Sequence, residues 1–246
     1  ESTDSPVHFE LTTFTAPSGS VTINGGVGDT LTIANDLDLG AATFTVNLPS
    51  INLDADVVTT GNQTYNGAVI VDSATGLTAV TVTFSDTVNL NSQILTLDVS
   101  GTGVMASSMN GTVNAGGSLV MNGTGDLTIS GTMTGNTFTG LINAGSVELV
   151  DHTNDLGDLG GSSWTVEAGA TLTAHIDGND SSLGHENVAI NLNGGILELD
   201  DLNQASGILT TDSFAGAATQ DNANGVYDNS GSNDSRLGDF GGGGND

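Results

Sequence analysis

Val80-Thr81-Val82-Thr83-Phe84 alternates apolar and polar residues, with valine and phenylalanine on one side and threonine on the other. That is the period of a β-strand with one face against a core and one toward water. The alternation returns in Val21-Thr22-Ile23, Leu31-Thr32-Ile33, Phe44-Thr45-Val46 and Leu95-Thr96-Leu97. It continues through Leu119-Val120-Met121, Leu127-Thr128-Ile129, Val147-Glu148-Leu149, Trp164-Thr165-Val166, Leu172-Thr173-Ala174, Ile190-Asn191-Leu192 and Leu197-Glu198-Leu199. Helix formers are scarce, and the stretches between these segments hold Gly, Asn and Asp, which tolerate positive φ in tight turns. The chain is therefore expected to be all-β, with a strand roughly every ten residues.

That spacing fits a β-sandwich with hairpin turns or a β-solenoid whose coils each hold two or three short strands. Two features favour the solenoid over the sandwich. The links are Gly/Asn corners such as Asn24-Gly25-Gly26, Gly116-Gly117 and Asn193-Gly194-Gly195, and aromatics make up only 4% of residues. Residues 18–206 form the predicted solenoid body. Residues 1–17 precede it and contain an isolated alternating stretch, His8 to Thr15, read as a strand that caps the body or pairs with a neighbouring subunit. From Gly207 the pattern fades into an acidic Gly/Asn/Asp-rich tail, residues 207–246.

Charge narrows the choice of partners. Twenty-nine acidic residues face one basic residue, Arg236, for a net charge of −28. Nucleic acid is excluded, because phosphate binding needs several Lys or Arg to displace counterions. Anionic headgroups need a polybasic patch that this composition cannot build. Cations are the charged partners that remain. There is no cysteine, so neither disulfides nor thiolate chemistry contribute. No apolar run reaches the ~18 residues of a membrane span, and Glu1 to Asp4 lacks the basic and apolar regions of a signal peptide. The expectation is a processed, soluble, extracellular product with no membrane insertion.

Thr59-Thr60-Gly61-Asn62-Gln63-Thr64-Tyr65-Asn66-Gly67-Ala68-Val69, followed by Val82-Thr83-Phe84, resembles repeats of filamentous-haemagglutinin-like bacterial surface proteins. Trp164 to Leu172, with Leu192 to Leu199, is similar to autotransporter-associated β-strand repeats. The resemblance covers about residues 55–205. It implies a right-handed parallel β-helix, secretion, and a stalk or adhesive role at the cell surface.

Calcium is the cofactor the sequence suggests. Oxygen-rich clusters occur at Asp151, Asp155 and Asp158, at Asp177 and Asp180, and at Asn222, Asn224 and Asp228. None follows an EF-hand loop. In the last, Asn222-x-Asn224-Gly225-x-x-Asp228 places oxygens around a turn glycine, with Gln220 where a first acidic ligand is expected.

Lyase chemistry of the kind found on some parallel β-helices needs a basic residue and is disfavoured here. Hydrolysis needs only paired carboxylates, for which Asp36/Asp38, Asp54/Asp56 and Asp200/Asp201 are the candidates against a reading as solvated surface acids. His8, His152, His175 and His185 are dispersed, without metal-ligand spacing. Trp164, Tyr65 and Tyr227 are the candidate sugar-stacking rings. Thr30-x-Thr32, Thr43-x-Thr45, Thr81-x-Thr83, Thr132-x-Thr134, Thr137-x-Thr139 and Thr171-x-Thr173 read as solvent-facing strand positions or as a flat threonine ladder, as in ice-binding solenoids. The expected function is a non-enzymatic secreted structural protein that self-assembles into a filament, sheath or surface layer, associated with cations. The alternative is an adhesin for surface glycans, or an ice binder.

Overall fold

In the computed structural model the chain winds into a β-solenoid, with parallel strands stacked in three sheets. The structure describes residues 17–114, 116–131, 133–134, 138–150, 163–177, 180–181, 189–201, 207–210, 213–215 and 236–240. Sheet A stacks Ser20–Asn24, Thr43–Asn47, Gln63–Tyr65, Val82–Phe84, Ser107–Met109, Asp126–Ile129, Ser146–Leu149, Thr171–Asp177 and Ile196–Asp201. Sheet B stacks Thr30–Ile33, Ser50–Leu53, Ala68–Val71, Val88–Asn89, Val113–Asn114 and Met133–Thr134. Sheet C runs from Leu37–Asp38 through Val57–Val58, Thr75–Ala79, Ile94–Val99, Ser118–Met121, Thr139–Ile142, Ser163–Glu167 and Ala189–Asn193 to Ser213–Ala215. The chain visits A, B and C in turn, and the first six coils carry all three. Parallel pairing from coil to coil throughout the three sheets excludes the β-sandwich, and the antiparallel pairs among the described residues, Thr171–Asp177 with Asp180–Ser181 and Gly207–Thr210 with Arg236–Phe240, lie toward the C-terminal end.

Each alternating segment read within the described residues forms a strand, although of Val80-Thr81-Val82-Thr83-Phe84 only Val82–Phe84 does so. The apolar residues point inward, because burying them is worth about 1.5–3 kcal/mol per large side chain. Register then turns each inward position into a column. Val46 lies beside Tyr65, Tyr65 beside Phe84, and Phe84 beside Met109. The rings of Phe44 and Tyr65 meet edge-on at 6.0 Å, while Tyr65 and Phe84 stack at 5.3 Å. Trp164 shares a column with Gly140, and a Cβ on Gly140 would lie inside the indole ring. The Phe138 ring meets that indole edge-on at 5.1 Å.

Among the buried polar residues Thr59, Gln63, Thr75, Thr81 and Ser107, Gln63 has the largest side chain to satisfy. Gln63 is fully buried, and its Nε2 donates to the carbonyls of Val57 and Thr78, both at 3.0 Å, and to Thr59 Oγ1 at 3.3 Å. Its Oε1 accepts from the Tyr65 hydroxyl at 2.9 Å. Every hydrogen-bonding atom of the amide thus has a partner.

Coil length varies at the corners. Phe44 pairs with Gln63, a coil of 19 residues, whereas Thr83 pairs with Ser108, a coil of 25. Much of the excess lies in residues 100–106, where Gly103–Met105 makes one 3-10 turn. Val104 is fully exposed there. Glycine lets the corners stack tightly: at Gly67 a side chain would collide with the Leu48 carbonyl of the coil before. At Asn193-Gly194-Gly195, Gly194 takes a φ of 84°, the left-handed conformation that glycine accepts without strain.

Candidate functional site

The outward residues of sheet A form three columns, and the first five coils set them apart from the rest of the surface. The central column is Thr22, Thr45, Thr64, Thr83 and Ser108, each beside the next in register. On one flank Ser20 pairs with Thr43, followed in the next two coils by Asn62 and Thr81. On the other flank Asn24, Asn47, Asn66, Ser85, Asn110 and Ser130 make a ladder. Asn47 Nδ2 donates to Asn24 Oδ1 at 2.7 Å, Asn66 Nδ2 to Asn47 Oδ1 at 2.6 Å, and Ser85 Oγ to Asn66 Oδ1 at 2.8 Å. Ser130 Oγ donates to Asn110 Oδ1 at 3.2 Å. Each side chain is thereby held in one orientation by its neighbours.

Not one residue in these columns is charged, in a chain with 29 acids. Carboxylates enter this face only from the sixth coil onward. Asp126 accepts from the Gly103 N–H and Ser146 Oγ, both at 2.7 Å, so it fastens the 100–106 loop. Glu148 accepts from Thr128 Oγ1 at 3.2 Å, and Glu198 from Thr173 Oγ1 at 3.3 Å. The same loop covers Thr81, only 7% exposed, and so bounds the neutral patch at the fourth coil.

The threonine pairs read from the sequence are shared among the sheets. Thr43-x-Thr45, Thr81-x-Thr83 and Thr171-x-Thr173 lie on sheet A, and Thr30-x-Thr32 on sheet B. Thr134 is in a sheet B strand and Thr139 in a sheet C strand, while Thr132 and Thr137 lie outside the described residues.

The paired carboxylates serve turns and coil stacking. Asp36 Oδ1 accepts from the Asp56 N–H at 3.3 Å, Asp56 Oδ1 from the Gly76 N–H at 2.7 Å, and Asp38 Oδ1 from the Gly40 N–H at 2.9 Å. Asp54 Oδ1 and Asn52 Oδ1 are covered and have no hydrogen-bond partner. Of Asp200 and Asp201 the backbone alone is described, both in the Ile196–Asp201 strand.

Most of the expected calcium ligands fall elsewhere. Asp151, Asp155, Asp158, Asn222, Asn224 and Asp228 lie outside the described residues. Asp177 and Asp180 are placed by backbone only, as partners across an antiparallel hairpin. Among the described residues no group of three or more His, Asp or Glu converges on a point that would hold a metal ion. His8, His152 and His185 are outside as well, and His175 is placed by backbone in the Thr171–Asp177 strand.

The sugar-stacking expectation is corrected for two of its three rings. Tyr65 is 0% exposed and Trp164 is 1% exposed, so both are core residues. Burial pushes the Tyr65 phenol well above the usual tyrosine range. The physical reason is local: each ring sits at an inward position of an alternating strand, where apolar area is worth most. Tyr227 lies outside the described residues.

The first coil is the other distinctive place. Its strands, Ser20–Asn24, Thr30–Ile33 and Leu37–Asp38, have a strand partner on one side only among the described residues. Its inward residues Val21, Ile23, Leu31 and Leu37 pack on the core yet stay half-buried. The predicted strand from His8 to Thr15 lies outside the described residues.

Among the described residues no helix is long and apolar enough to cross a membrane. Comparison with protein-family models, with curated proteins and with solved structures gives no match to this chain.

Proposed function

We propose that this chain is a non-enzymatic, secreted structural protein, a rigid rod segment of an extracellular filament, sheath or surface layer. The carrying observation is the first coil, where three strand edges and four half-buried apolar residues face outward along the rod axis. Among the described residues these strands pair on one side only, and such an edge over a half-covered core is completed by another strand layer, whether from a second copy or from residues 8–15 exchanged between copies. The rod behind it suits a load-bearing spacer. Nine sheet A strands stack at about 4.8 Å each, giving roughly 40 Å of continuous hydrogen-bonded sheet. Divalent cations such as Ca²⁺ enter through charge, because copies at −28 repel strongly until counterions screen or bridge them.

Electron microscopy of the purified chain in millimolar Ca²⁺ and in EDTA tests this reading, beside a variant lacking residues 1–16. Rods or fibres many times the monomer length are expected in Ca²⁺, with shorter assemblies in EDTA and folded monomers after the deletion. Monomers under every condition at high concentration would refute it.

A further inference from the structure

The neutral patch of sheet A is a two-dimensional grid, and the geometry points to ice as the surface it binds. Residues repeat at about 4.8 Å from coil to coil and at about 6.6 Å between alternate positions along a strand. The ranks Ser20/Thr22, Thr43/Thr45 and Asn62/Thr64 present a hydroxyl or amide at every node, and the threonines add a methyl. Water oxygens in an ice plane repeat at spacings close to both. A liquid partner or a flexible chain gains nothing from such regularity, whereas a crystal engages every node together.

Four further observations agree. The nodes are preordered: β-branched threonine has few χ1 choices, and from the second coil onward strands bonded on both sides fix its backbone, so little entropy is left to lose on binding. The patch is uncharged, and ions hold hydration shells that do not fit an ice lattice. Its size excludes the obvious competitor. Four coils by five residues make about 19 Å by about 16 Å, so two copies face to face would bury roughly 600 Å², half of what a stable dimer needs. No aromatic ring lies in these columns, which removes the platform a glycan would stack on. The inference stands apart from the assembly reading, because it uses the side of the rod and not its end.

The test is ice growth in a nanolitre osmometer with the full chain. Faceted crystals are expected, and freezing should fall below melting. Thr45→Lys and Thr64→Lys should abolish both effects, while Thr32→Lys on sheet B retains them; far-UV circular dichroism verifies that each variant is folded. Round crystals and no freezing gap with the folded parent chain would overturn the inference. So would full activity in Thr45→Lys, or a lateral dimer in sedimentation that Thr45→Lys dissociates, which would give the patch to a second copy.

Discussion

Tyr65→Phe isolates one hydrogen bond in the core. The ring keeps its stack on Phe84 and its edge contact with Phe44, and only the hydroxyl that donates to Gln63 Oε1 at 2.9 Å is lost. The amide oxygen is then buried without a donor, which costs about 1–3 kcal/mol. Gln63→Leu strands the partner instead: the Tyr65 hydroxyl loses its acceptor, and the Val57 and Thr78 carbonyls lose a donor, for about 2–3 kcal/mol. The double variant leaves neither the hydroxyl nor the amide. Its cost should therefore fall short of the sum of the singles by about 1–2 kcal/mol. Urea unfolding followed by far-UV circular dichroism measures all four, with a constant m-value as the check that one transition is compared. Additive losses, or a neutral Tyr65→Phe, would refute the claim that the hydroxyl and amide form a closed buried pair.

The same phenol makes stability depend on alkaline pH. Burial raises its pKa, so the unfolded chain loses the proton first, near the ordinary value of about 10. The contribution is complete below that pH, and it drains at about 1.4 kcal/mol per pH unit above it. Urea midpoints on either side of that value should show the fall in the parent chain and a much smaller one in Tyr65→Phe. Gly140→Val drives a side chain into the Trp164 ring and should cost about 1–3 kcal/mol or more, partly restored by Trp164→Leu in the same chain, as read by melting temperature. Asn47→Ala removes one bond given to Asn24 and one taken from Asn66, for about 1–2 kcal/mol in urea.

Much of the fold was legible because its longer strands bury one face. Val82 to Phe84 and Leu95 to Leu97 announce themselves by alternation, and both lie in strands. Val57–Val58, Val88–Asn89 and Val113–Asn114 were invisible, since two residues carry no period. That is why the sequence suggested a strand roughly every ten residues, whereas a 19-residue coil holds three. The corners Asn24-Gly25-Gly26 and Asn193-Gly194-Gly195 were readable as turns, and they chose the solenoid correctly. Register was not readable. The neutral face depends on Thr22, Thr45, Thr64 and Thr83 sharing a column, with intervals of 23, 19 and 19 residues that no local motif reveals. Tyr65 and Trp164 misled for the opposite reason, because a ring valued for sugar stacking is equally valuable inside a core.

The loop at residues 100–106 shows how such a molecule can change through evolutionary time. Extra residues at a corner bulge outward and leave the columns on both sides aligned. An extra residue within a strand would swap inside for outside along everything that follows in that strand. Gain or loss of a complete coil, by contrast, presents each neighbour with an equivalent surface. Descent in this lineage should therefore proceed by two kinds of indel: small ones confined to corners, and large ones in multiples of a coil. The rod's length is then a number of whole coils, open to change without redesigning its cross-section.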